Sequence, residues 1–85
     1  MKRSEILDTA KDYVTKDRAS QHGSAENNLM DIAYFWSHHL DTTITSADVA
    51  IMMCMLKMVR AKSNPKNMDN FIDLCGYAAL AGEVA

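Results

Sequence analysis

Lys57 and Arg60 stand three residues apart, which on a helix makes them neighbours on one side. Asp69 and Asp73 stand four apart, with Tyr77 one further turn along the same side. A helical hairpin turning at residues 63–67 would set the two cations against the two carboxylates and the phenol. Two outcomes are open on the residues alone. One is an ion-pair ladder at the hairpin mouth, with lysine and arginine suiting a helix end and aspartate a helix start. The other is a phosphate site in which Lys57 acts as a point charge, Arg60 as a bidentate fork, and the carboxylates orient them or hold Mg²⁺.

A second group lies in "DRASQHG", residues 17–23. Arg18 and His22 are four apart, and Gly23 lacks the side chain that would keep backbone away from a ligand. The ring of His22 could stack on a nucleobase. Equally, Gly23 could end a helix whose negative end His22 and Arg18 answer, with nothing bound. His38 and His39 are adjacent in sequence, so they diverge and cannot make the same-face pair of a helical zinc site; no zinc is expected. Cys54 and Cys75 sit in apolar patterns without a second cysteine at ligand spacing, which points to core packing in a reducing compartment.

The elements that must position these residues read as all-α. Apolar residues recur at helical spacing, and no stretch alternates like a half-buried strand. A first helix is expected to start after Ser4, with Ile6, Ala10, Tyr13 and Val14 on one stripe. A second starts after Ser24 and runs to about Leu40, its stripe being Leu29, Ile32, Ala33, Trp36 and Leu40, while Met30, Tyr34 and Phe35 widen the apolar surface. "TSAD" at residues 45–48 matches a capping box opening a third helix, and Pro65 in "SNPKN" marks the turn into a fourth. In the fourth, Gly76 and the small residues of "GYAALAG" would let another helix press close. Short connections favour antiparallel neighbours, so one domain over residues 1–85 is expected, a compact four-helix bundle or paired helical hairpins.

The third helix carries "DVAIMMCMLKMVRA", apolar on nearly every side. Val49, Met52, Met53, Leu56 and Val59 are expected to face the protomer, leaving Ile51, Cys54, Met55 and Met58 in need of cover. A chain this short buries only about 60–65% of its unfolded surface, so copies of the chain are expected to supply that cover as a homo-oligomer. A composition 48% apolar and 24% charged is that of a folded globule, and a formal charge of -2 gives no basic field for duplex nucleic acid. No apolar run approaches a membrane span and the N-terminus lacks a signal-peptide core, so a cytoplasmic protein is expected.

"DRASQHG", "ITSADVAIMMCMLKMVR" and "MDNFIDLCGYAALAG" together resemble the signature stretches of a family of small phage and prophage proteins, over about residues 17–82. The pattern is an arginine, an aromatic and glycine, an aspartate opening a helix that ends in lysine and arginine, and an aspartate followed by Gly-Tyr. Here these are Arg18, His22 and Gly23, then Asp48, Lys57 and Arg60, then Asp73, Gly76 and Tyr77; His22 stands where tyrosine is commoner. The same order is similar, more weakly, to a phage nucleotide-modification-associated domain and to all-α nucleotide pyrophosphohydrolases. The resemblance implies a nucleotide ligand. The paired glutamates with which the pyrophosphohydrolases hold Mg²⁺ are absent, since Glu5, Glu26 and Glu83 are isolated, so binding without turnover is expected. The expected function, by analogy with phage sponges, is sequestration of a nucleotide such as a host cyclic-oligonucleotide immune signal in the host cytoplasm. Arg18, Lys57 and Arg60 would take phosphates, and His22, Gly23, Tyr77 and Asp73 would stack on or orient the base. No cofactor is expected. An enzyme alternative recruits Asp48, Asp69 and Asp73 for Mg²⁺, and a third reading is a protein-binding inhibitor using the apolar surfaces of helices two and three.

Overall fold

Local chemistry sets most of the helix boundaries. Thr45 Oγ1 accepts from the Asp48 N–H at 3.1 Å, and Asp48 Oδ2 accepts from the Thr45 N–H at 2.9 Å, so two otherwise orphaned amides are satisfied reciprocally. Ser24 Oγ accepts from Asn27 at 3.2 Å, and Asn67 Oδ1 accepts from Asp69 at 3.1 Å. In the computed structural model, which describes residues 1–17 and 24–85, these caps open three of four helices. They are α1 (Arg3–Asp12), α2 (Ala25–Leu40), α3 (Ser46–Ser63) and α4 (Met68–Val84). The all-α fold expected from periodicity is the fold observed, with no strand among the described residues.

Two boundaries differ from expectation. Ser4 does not cap α1: Lys2 is the last extended residue, its N–H donates to Glu5 Oε1 at 3.2 Å, and the helix starts two residues sooner. The C-terminal end of α1 widens into a π-helical turn, Tyr13–Asp17, which apolar spacing alone does not disclose. Within that turn Thr15 Oγ1 donates to the Lys11 carbonyl at 2.6 Å.

The architecture is a central α3–α4 hairpin with α1 laid on α4 and α2 laid mainly on α3. Asp41 ends α2 in the left-handed region (φ 51), and Ser37 pins the following connection by donating to the Ile44 carbonyl at 3.1 Å and accepting from its N–H at 2.8 Å. Leu29, Ala33, Val49 and Ala50 form the α2–α3 core, with Trp36, Ile44 and Leu80 against it. The inner face of α3 is Val49, Ala50, Met53, Cys54, Lys57 and Ala61. Val49 and Met53 turn inward as expected. Met52, Leu56 and Val59 are instead exposed, and Cys54 is buried, because small residues let the hairpin helices close tightly and the large side chains are left outside. Burial pushes the Cys54 thiol up from its ordinary range, and its Sγ points at the Leu74 carbonyl 3.8 Å away. Both cysteines are free.

Gly76 is buried where the π turn meets α4, and a Cβ there would lie 2.9 Å from Val14 Cγ1. Gly76→Ala gains up to about 1 kcal/mol of helix propensity but pushes against a stiff β-branched side chain, and such overpacking costs about 1–3 kcal/mol. We expect a net loss of about 1 kcal/mol in chemical denaturation, and the opposite sign for the same change made in a Val14→Ala background. The cap of α3 gives a pH signature. The backbone hydrogen bond from Thr45 holds the Asp48 carboxyl below its ordinary pKa of 3.8. A depressed carboxyl contributes stability that is present above its unfolded pKa and lost as pH falls through the folded one. Acid denaturation below about pH 4 should therefore be shallower in Asp48→Asn than in the unaltered chain, from a lower starting stability at pH 7.

Candidate functional site

The hairpin brings the two polar strips together. Lys57 Nζ lies 3.0 Å from Asp73 Oδ2, with the side chains only 13% and 15% exposed. At this depth removing either partner costs more than it would at the surface, because the other is stranded away from water. Arg60 and Asp69 lie at the rim. Both line a cleft of about 490 Å³ at the hairpin mouth, together with Lys57, Asn64, Asn67, Asn70 and Asp73. Arg60 is exposed and meets no ion-pair partner among the described residues. Asn70 is 6% exposed, and no described residue hydrogen-bonds its side chain, so its amide edge is left to the cleft.

Asp73 also lines a second cavity, of about 600 Å³, on the side where α1 and α2 flank α4. Its walls are mostly apolar: Tyr13 and Val14 from the π turn, Leu29, Ile32 and Phe35 from α2, and Ile72, Gly76, Tyr77 and Leu80 from α4. Polar atoms enter from Asn28, Asp31 and Asp73. Tyr77 therefore stands in this groove and not beside Arg60. The missing side chain at Gly76 brings Val14 close, and the π turn swings Tyr13 to the wall; such turns occur often at functional sites.

Of the residues singled out from sequence, Lys57, Arg60, Asp69 and Asp73 share the polar cleft, and Asp73, Gly76 and Tyr77 share the apolar groove. Arg18, His22 and Gly23 lie outside the described residues. Asp48 is nine residues before Lys57 on α3, roughly 13 Å along the axis, and lines neither cavity. The Asp48, Asp69 and Asp73 set of the enzyme alternative is thus split between two places, and among the described residues no three His, Cys, Asp or Glu side chains are grouped to hold a metal ion. Sequence reasoning missed Phe35, Asn28, Asp31 and Tyr13 as lining residues. Phe35 carried a signal, a large ring off the buried stripe of α2. Tyr13 reads from spacing alone as part of the core stripe of α1.

No helix among the described residues is long and apolar enough to cross a membrane. The chain is 36% identical over 76 residues to the Gene 55 protein of Mycobacterium phage L5, covering 88% of this chain and 49% of that protein. To the Gene 55 protein of Mycobacterium phage D29 it is 34% identical over 79 residues, covering 93% and 52%. It therefore spans about half the length of these curated relatives. No solved structure matches it. With a family model matching residues 5–85, from the first turn of α1 through α4 and both cavities, the chain belongs to the small phage-protein family described as a domain of unknown function, DUF6378.

Proposed function

We propose that this protein binds a nucleotide and sequesters it without turnover, in the host cytoplasm, as a homo-oligomer whose protomers cover one another's exposed apolar faces. The observation that carries the reading is that Asp73 stands between two cavities of opposite character. A nucleotide has the matching character. Its flat base suits the groove walled by Tyr13, Phe35 and Tyr77, and its phosphates suit Arg60, Lys57 and the Asn70 amide. In this reading Arg60 supplies a bidentate fork from the rim, while Lys57 shares its charge between Asp73 and a phosphate oxygen. The sequence offers Arg18, His22 and Gly23 to the same proposal, as further phosphate- and base-contacting residues. The weaker likeness to phage nucleotide-modification domains and all-α pyrophosphohydrolases belongs to the same proposal. Retention is favoured over hydrolysis because, among the described residues, Asp48 stands apart from Asp69 and Asp73, and Asp73 is already tied to Lys57.

One observation favours a second reading, a protein-binding inhibitor: α2 leaves Met30 60% exposed and both Tyr34 and Phe35 68% exposed, the two rings meeting edge to face at 5.5 Å.

A thermal-shift panel of mononucleotides, cyclic dinucleotides and dinucleoside polyphosphates separates these readings. A true ligand at a hundred times its Kd adds about 2.7 kcal/mol, which for so small a domain raises Tm by the order of 10 °C. Arg60→Ala should weaken that ligand by about tenfold or more through loss of a charge-assisted bond, and Tyr77→Ala should weaken it as well. Recovery of intact nucleotide from the heated complex supports sequestration, and its Mg²⁺-dependent loss would favour the enzyme. A panel in which nothing shifts Tm overturns the nucleotide reading in favour of the inhibitor.

A further inference from the structure

The outward side of α3 carries Ile51, Met52, Met55, Met58 and Val59, exposed by 46%, 40%, 55%, 54% and 65%. At about 100° per residue these five lie within about 60° of Met55, and the inner face of the helix lies opposite. The stripe ends in a carboxylate, Asp48, and an ammonium, Lys62, each exposed and each seven residues from Met55. Its order is self-complementary when reversed. About a centre at Met55, Ile51 exchanges with Val59, Met52 with Met58, and Asp48 with Lys62. We infer that this stripe is a dimer seam for a second copy of the chain, packed antiparallel about a two-fold axis at Met55, with Asp48 of each protomer facing Lys62 of the other.

The residues argue for this occupant over an unrelated one. A two-fold contact must be complementary to itself, and apolar side chains of matched size with opposite charges at opposite ends meet that condition. Spacings of three and four residues along the stripe are those of helices packing side by side, at 8–10 Å between axes, over a contact roughly 21 Å long. Flexible thioethers at Met52, Met55 and Met58 fill the seam without requiring one rigid fit. A parallel pair would put Asp48 on Asp48 and Lys62 on Lys62, so the end charges set orientation more than strength. The seam makes specific the self-association proposed above and does not depend on the nucleotide.

The test uses the whole chain and no ligand, so its failure is distinct from failure of the nucleotide reading. Native mass should be twice 9.5 kDa. Under mild oxidation Met55→Cys should cross-link to itself, with the unaltered chain as control for Cys54 and Cys75. Val59→Cys should not cross-link to itself but should cross-link to Ile51→Cys when the two are mixed. Lys62→Glu, which sets two carboxylates against each other, should weaken association by about tenfold or more and restore the mass of one chain on dilution. A single-chain mass for the unaltered protein overturns the inference. So does Val59→Cys cross-linking to itself as readily as Met55→Cys, the sign of a parallel or unregistered contact.

Discussion

The closeness of α3 and α4 is the constraint on which the rest of the molecule depends. Ala50, Cys54 and Ala61 are all buried, and small side chains let two helices approach so that backbone and stem atoms pack at interior density. Two results follow from that approach. Most of the large apolar side chains of α3, Val49 and Met53 excepted, have no place inside and are turned outward. In addition, Lys57 and Asp73 are drawn to 3.0 Å at a depth where neither is well hydrated. A looser hairpin would bury more methionine and leave the two charges in water, and with them would go both the exposed stripe and the shared wall between the cavities.

The Lys57–Asp73 pair is a modest source of stability and a strong source of geometry. Desolvation offsets much of the Coulomb attraction at this depth, while removal of one partner leaves a charge with poor hydration, so the pair fixes register more than it adds net free energy. Its register is what divides the site. With Asp73 held to Lys57, the polar cleft keeps Arg60 and Asn70 at its rim and wall, and the groove on the other side of Asp73 stays largely apolar. A ligand that placed an anion near Lys57 would compete with Asp73, whose carboxylate also borders the groove. Occupancy of one cavity would in that way alter the polarity of the other.

Much of the fold was legible because its signals are local. Ser24, Thr45 with Asp48, and Pro65 act through hydrogen bonds or steric effects within a few residues, and they put α2, α3 and the turn into α4 where the structure has them. The facing of α3 was not legible. Its apolar residues go all the way round, so no moment points inward, and the choice is made by which small residues allow contact with α4, a tertiary fact. The π turn was invisible for a related reason, since Tyr13 and Val14 satisfy an ordinary helical stripe as well as a widened one. In the candidate site, the approach of Lys57 to Asp73 followed from spacing and one turn, whereas the groove needed residues from the π turn, α2 and α4 together.

The geometry of α3 bears on how the proposed ligand site and the proposed seam would share one short chain. Lys57 lies two residues from Met55, about 200° round the helix, so its side chain faces away from the stripe, while Val59 borders both the stripe and the polar cleft. Covering the stripe with a second copy would leave the apolar groove open and meet the polar cleft at Val59, while restricting the helix that presents Lys57 and Arg60. The cost of ordering those two long side chains against a phosphate falls when their shared backbone is already held, because less freedom remains to be lost on binding. Association and ligand affinity would then be coupled through the rigidity of α3.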